Sequence, residues 1–148
     1  MVDTYFDFES VVSRVLTTVL IGNTDVSTEV RDKVYHAELA EVNNPVFPCV
    51  CFKMWGNPPL FRGLQGAEYT LRIWSWAQSQ VGASLLLAKV SAALEPRRFT
   101  DADKTFAIVF EPSVGGGVYV DTTGNVFGSV ETYRVRAIAR KSTERPFH

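Results

Sequence analysis

Glu68-Tyr69-Thr70-Leu71-Arg72-Ile73-Trp74-Ser75-Trp76 alternates in character, and Ser79 and a run of apolar residues follow it closely. A period of two puts Tyr69, Leu71 and Ile73 on one side and Glu68, Thr70 and Arg72 on the other, which is a strand with one dry and one wet face. Beyond it, Ala83, Leu86, Leu87, Val90 and Leu94 recur at helical spacing and stop before Pro96. Ser79 is a good N-cap, and proline ends a helix because it lacks an N–H donor and clashes with the preceding turn. A half-wet strand followed by a one-sided helix needs a second layer to bury both apolar faces.

Upstream, Phe8, Val11, Val12, Val15, Leu16, Val19 and Leu20 form a second helical stripe. Thr4 or Asp3 is placed to cap it, Asp7 and Glu9 suit the positive end of its dipole, and Gly22 and Asn23 fit a left-handed stop. Residues 23–45 read as a polar connection with a short strand or turn near Val34–Tyr35. Val46–Met54 reads as a central strand, with Val46, Val50, Phe52 and Met54 on one face and Phe47, Cys49 and Cys51 on the other. Pro58 to Gly66 is loop by its Pro and Gly content. Downstream, the polar stretch Arg97–Lys104 leads to a strand at Phe106–Phe110. Gly115-Gly116-Gly117 precedes Val118-Tyr119-Val120, Asp121–Asn125 reads as a turn, and residues 132–140 alternate again. The expected fold is α+β: two helices packed on one face of a mostly antiparallel twisted β-sheet. Its other face would display Glu68, Thr70, Arg72, Arg134 and Arg136. Residues 1–141 are expected to form one domain, with 142–148 a loose tail.

The 148 residues are 46% apolar and 21% charged, with 15 Lys+Arg against 16 Asp+Glu. That balance excludes an acidic disordered chain and a strongly basic nucleic-acid protein. No stretch nears the ~18 consecutive apolar residues of a membrane span. The acidic start, Met1 to Asp7, lacks the positive region of a signal peptide. The charge is uneven: residues 1–50 hold 8 acids and 3 bases, net −5, and residues 51–148 hold 8 acids and 12 bases, net +4. Such polarity suits head-to-tail contact between copies, although solvated charges also fall unevenly by chance.

Candidate chemistry is sparse. Cys49 and Cys51 share a strand face, and with His36 they are the one soft-ligand set, against the plainer reading of buried structural thiols. Asp101 and Asp103 are a possible carboxylate pair in a charged loop. There is no Gly-x-Ser-x-Gly elbow, and the triple glycine is not followed by a helix pattern, so neither a hydrolase nor a phosphate loop is indicated. Trp74 and Trp76 either close one end of the core or form an interface. Leu60, Phe61, Arg62 and Leu64 place large apolar groups among turn residues, which reads as an interaction hairpin or as a loop tucked into the core. Arg134, Arg136 and Arg140 form a row that would either track a phosphate backbone or match an acidic neighbour.

In the order of its elements the chain resembles the tail-terminator (tail-completion) proteins of long-tailed bacteriophages. The likeness rests on the helix Phe8–Leu20, on Val46-Phe47-Pro48-Cys49-Val50, and on Tyr69-Thr70-Leu71-Arg72-Ile73-Trp74-Ser75-Trp76-Ala77. It continues with Leu87-Ala88-Lys89-Val90-Ser91-Ala92-Ala93-Leu94 and the last strand at 132–140. The stretch Glu95–Gly128 is longer than that pattern. The resemblance implies a structural virion protein, not an enzyme, with no cofactor and no metal. It implies a homo-oligomeric ring, a hexamer, on the end of the tail tube. Such a ring stops tube polymerisation, binds the tube protein and a neck or head-completion protein, and lets DNA pass without specific binding. The contact regions carried over are Leu60–Leu64 and Arg134–Arg145. Synthesis in the host cytoplasm and assembly into the virion, away from membrane, follow from the same likeness. A head-completion or neck ring is the alternative, and a nucleic-acid module using Arg72, Arg134 and Arg136 is a further one.

Overall fold

The computed structural model describes residues 8–57, 66–113 and 119–139. Among these, the chain runs α1 (Phe8–Gly22), α2 (Thr24–Val30), β1 (Val34–Tyr35), a 3-10 turn (Leu39–Glu41), β2 (Cys49–Asn57) and β3 (Gly66–Ala77). It continues with α3 (Gln80–Ala93), β4 (Arg98–Thr100), β5 (Phe106–Pro112), β6 (Tyr119–Thr123) and β7 (Val126–Ala139). The strands form one sheet in the order β1-β2-β3-β7-β5-β4, with β6 also on β7. β1 runs parallel to β2 and every other pairing is antiparallel, so the fold is α+β with a mixed, mostly antiparallel sheet.

Both long helices form where the apolar stripes predicted them. Val11, Val12, Val15, Leu16 and Leu20 of α1 are buried. Each contributes at most about 1.5–3 kcal/mol on burial, several times the few tenths that valine loses in helix propensity. In α3, Ser79 Oγ accepts the Gly82 N–H at 3.0 Å, the expected cap. The inner stripe Ala83, Leu86, Leu87 and Val90 is buried.

Several local readings are corrected. Asn23 does not end α1 in a left-handed conformation: its φ is −85°, and it caps α2, its Oδ1 accepting the Val26 N–H at 3.2 Å. The polar connection therefore contains a third helix, whose only apolar residues, Val26 and Val30, are fully buried one turn apart. Two residues on a seven-residue helix are too few for a periodicity to show. The polar stretch 97–104 contains the edge strand β4, paired through Arg98↔Val109 and Thr100↔Ala107. Finally, the turn near residue 123 is tighter than predicted. β6 continues to Thr123 and β7 begins at Val126, leaving Gly124-Asn125, with Gly124 at φ +61° where glycine avoids a Cβ clash. Thr4 and Asp3 lie outside the described residues, as do the triple glycine and the tail at 142–148.

Register sorts the sheet into two faces. Val50, Phe52, Met54, Leu71, Ile73, Tyr133, Val135, Ala137, Phe110, Ile108 and Phe106 join the buried stripes of α1, α2 and α3 in one core. At its edge, Ser91 Oγ donates to Glu131 Oε1 at 2.8 Å and the Tyr133 hydroxyl donates to Ser91 Oγ at 3.3 Å, tying α3 to β7. Burial, reinforced by Glu131, pushes the Tyr133 phenol up, so it stays a donor. On the opposite face, Cys49, Cys51, Trp74, Trp76 and Val130 form a second cluster, covered by Tyr35, Leu39, Val42, Phe47 and Val126. The connection from β1 to β2 thus closes one end of that face. β2 begins at Cys49, so Val46 lies before the strand and is 58% exposed.

Within the second cluster, the Trp76 indole lies against the backbone of Gly128, its cross-strand partner. A Cβ at Gly128 would sit 2.9 Å from Trp76 Cζ3. Gly128→Ala is expected to lower unfolding free energy by about 1–3 kcal/mol, as overpacking does, read from the urea midpoint at unchanged m.

Candidate interaction surface

The uncovered part of the second face starts where the tryptophan cluster ends. Alternation along β2 sends Lys53 and Trp55 there, and along β3 it sends Arg72, Thr70 and Glu68. β7 supplies Thr132, Arg134 and Arg136, set beside β3 by the pairs Arg72↔Thr132, Thr70↔Arg134 and Glu68↔Arg136. This is the display predicted from the alternation, except that Glu68 is buried while Arg72 and Arg134 are exposed.

The sequence did not reveal two members of this surface. Glu111 of β5 faces Arg134 across the strand pair. Arg134 Nη2 donates to its Oε2 at 2.8 Å, and Arg136 Nη2 donates to its Oε1. Hydrogen bonds from Arg134 and then Arg136 hold the Glu111 carboxyl below the usual carboxylate range, and Glu111 in turn raises Arg134. Both arginines are thereby committed within the subunit, which weakens the reading of a row that tracks phosphates. All three side chains are about a third exposed or more, where solvent screening leaves such pairs little stabilising effect. Their effect is to fix the guanidinium positions. The second missed residue is Trp55, 41% exposed. The Arg72 guanidinium carbon lies 5.7 Å from its ring centroid, a cation–π contact, and with Thr70 the two line a shallow hollow. Trp55 continues the Cys49-Cys51-Lys53 alternation one step past the predicted strand end at Met54. Glu111 likewise follows Ala107 and Val109, but only register puts it beside Arg134.

The remaining candidates fall in different places. Trp74 and Trp76 are 9% and 3% exposed and belong to the second cluster, which matches the core-closing reading and leaves little of either for a neighbour. Leu60, Phe61, Arg62, Leu64 and Arg140 lie outside the described residues. Cys49 and Cys51 are free thiols, fully buried. The hydrogen bond between them and burial push the Cys51 thiol up. His36 is not with them. It stacks on Phe52, centroids 4.8 Å apart and planes 7° from parallel, and its Nε2 lies 3.4 Å from Glu9 Oε2. Phe52 belongs to the main core and the thiols to the cluster on the opposite face, so the sheet separates His36 from both thiols. Asp101 accepts the Phe106 N–H at 2.8 Å through Oδ1, closing the turn into β5. It acts there on backbone rather than paired with Asp103.

Acids of the N-terminal third are partly matched within the subunit. Lys89 Nζ donates to Glu29 Oε1 at 2.7 Å, and Lys53 Nζ lies 3.4 Å from Glu38 Oε1. The net −5 and +4 of the two segments therefore overstate the charge available to a partner. Compared with known proteins, the chain matches no protein-family model and no curated protein.

Because the folded pKa of Glu111 is depressed, its pairing stabilises the fold above the ordinary glutamate pKa of about 4.3 and is lost as pH falls through the lower folded value. Carboxyl-carbon NMR is expected to show Glu111 titrating below free glutamate. Arg134→Ala should move that midpoint upward; an unmoved midpoint would show that Arg134 does not hold the carboxylate.

Proposed function

We propose that this chain is a structural subunit acting by assembly, resembling a phage tail terminator: a ring, of six copies in the family pattern, that ends the tail tube and presents a surface to the neck. The observation that carries this reading is the second side of α3. The helix QVGASLLLAKVSAA holds one charged residue, Lys89, and that one is bound to Glu29. Its inner stripe is buried, yet Val81 and Leu85, one turn apart on the outside, are 70% and 59% exposed, with Ala88 and Ala92 continuing the exposed line. A line of exposed apolar side chains on a helix already buried on its other side is ordinarily a contact surface. Trp55 and Arg72 lie on the far side of the sheet from the helical core, so two unlike patches exist at different places, as a closed head-to-tail ring requires. In this reading the helices form one layer on the core face, and the charged face meets a different neighbour.

Native mass spectrometry and negative-stain imaging of the full chain are expected to find rings, either alone or on tail tubes. Val81→Glu with Leu85→Glu should leave the circular-dichroism spectrum and melting behaviour of the subunit intact while abolishing rings. Tails of normal length in particles lacking the protein would contradict the terminator role, and rings found on heads would favour a neck protein.

A further inference from the structure

α3 ends in an electrostatic conflict that the subunit leaves open. Glu95 follows the helix in its closing turn, its N–H donating to the Ala92 carbonyl at 3.2 Å. Residues three apart eclipse in a turn of that kind, so Glu95 prolongs the exposed line of Val81, Leu85, Ala88 and Ala92. An anion at the carbonyl end of a helix opposes the helix dipole. The Glu95 side chain is nevertheless 75% exposed, and Arg97, its ion-pair partner among the described residues, stands 3.9 Å away. The outer side of α3 is therefore an apolar stripe that ends in a loosely held carboxylate.

The second face of the sheet carries the opposite conflict. Arg134 and Arg136 share Glu111, and Lys53 has Glu38. The exposed Arg72 guanidinium lies over Trp55, and no carboxylate among the described residues pairs with it. Trp55 is itself 41% exposed beside the hollow that it lines with Thr70 and Arg72.

We infer that these two surfaces are the two sides of one contact: the outer line of α3 in one copy seats on the Trp55–Arg72 face of a second copy, with Glu95 bound to Arg72 across the boundary. The pairing rests on the assembly reading and names the surfaces through which it works. Spacing supports it. Ala92 and Glu95 lie about 5–6 Å apart along the helix axis, and the Arg72 guanidinium carbon is 5.7 Å from the Trp55 ring centroid. An indole laid on Ala92 thus brings the guanidinium to Glu95. Shape supports it too, because Ala88 and Ala92 carry one methyl each and leave a shallow shelf for a flat ring between Leu85 and Glu95. Charge completes the match: a guanidinium fork accommodates a carboxylate with two hydrogen bonds, so one contact settles both conflicts. Trp and Arg are also the side chains that most often dominate an interface. The surfaces are unlike, so each copy keeps one of each kind for its next neighbour and repetition can close a ring. Copies facing each other α3 to α3 would leave Arg72 unmatched and stop at a dimer.

Charge reversal in the full chain tests the pairing, with rings counted by native mass spectrometry and negative-stain imaging, alone or on tail tubes. Arg72→Glu and Glu95→Arg, each alone, are expected to raise the concentration for half-assembly about tenfold or more, with the circular-dichroism spectrum unchanged. Arg72→Glu combined with Glu95→Arg in one chain should return it to within about threefold of the unaltered chain. An equimolar mixture of the two single variants should assemble as well, into rings holding equal numbers of each, because alternation joins opposite charges at every boundary. Rings that survive both single reversals, or that the combined variant fails to restore, would overturn this contact and leave the assembly reading standing. An unaltered chain that forms no rings, even on tail tubes, would overturn both. Dimers that respond to Glu95→Arg but not to Arg72→Glu would overturn the contact in favour of α3 meeting α3.

Discussion

The antiparallel pairing of β3 with β7 is the constraint on which the rest of the molecule depends. Every residue of β3, from Gly66 to Ala77, has a partner on β7 between Phe127 and Ile138. The same register puts Leu71 beside Tyr133 in the core and Thr70 beside Arg134 outside it. Side chains alternate with a period of two, so a one-residue slip of β7 would drive Arg134 and Arg136 into the core and Tyr133 and Val135 into water. The cost of burying unpaired guanidinium groups makes that alternative untenable. Packing of the helices and display of the charged face are thus one decision made twice.

The two faces are finished differently. Side chains from α1, α2 and α3 share a core with one face, and α3 is further pinned through Ser91, Glu131 and Tyr133. The other face is closed at one end only, where the connection between β1 and β2 lies over Trp74 and Trp76. Past that end the surface turns polar, and its arginines, though exposed, are held by Glu111 or laid over Trp55. Holding the guanidinium groups in this way fixes where the positive charge of that face sits.

The assembly reading draws on surface that the fold itself does not use. Most of the Val81 and Leu85 side chains is left uncovered by the subunit itself, and a helix with a single charge, already paired, is a poor solvent-facing element. The separation of His36 from Cys49 and Cys51 by the sheet removes the one soft-ligand set the sequence offered. In the proposed reading, other copies, a tail tube and a neck component would cover that surface.

Periodicity alone established the two long helices, the alternating strand β3 and the second half of β7, the two apolar sides of β2 and the polar display on the second face, because each is a local pattern repeated over many residues; the first half of β7, Val126–Glu131, it did not show. What it could not reach has a common cause. α2 has only two apolar residues, β4 has three residues, and the partnership of Glu111 with Arg134 and Arg136 spans more than twenty positions. The choice for Trp74 and Trp76, core or interface, depended on a connecting segment folding over them. Composition and spacing determine which face of an element is dry. Only the tertiary structure decides what covers it, because covering surfaces come from segments remote in sequence whose register no local pattern encodes.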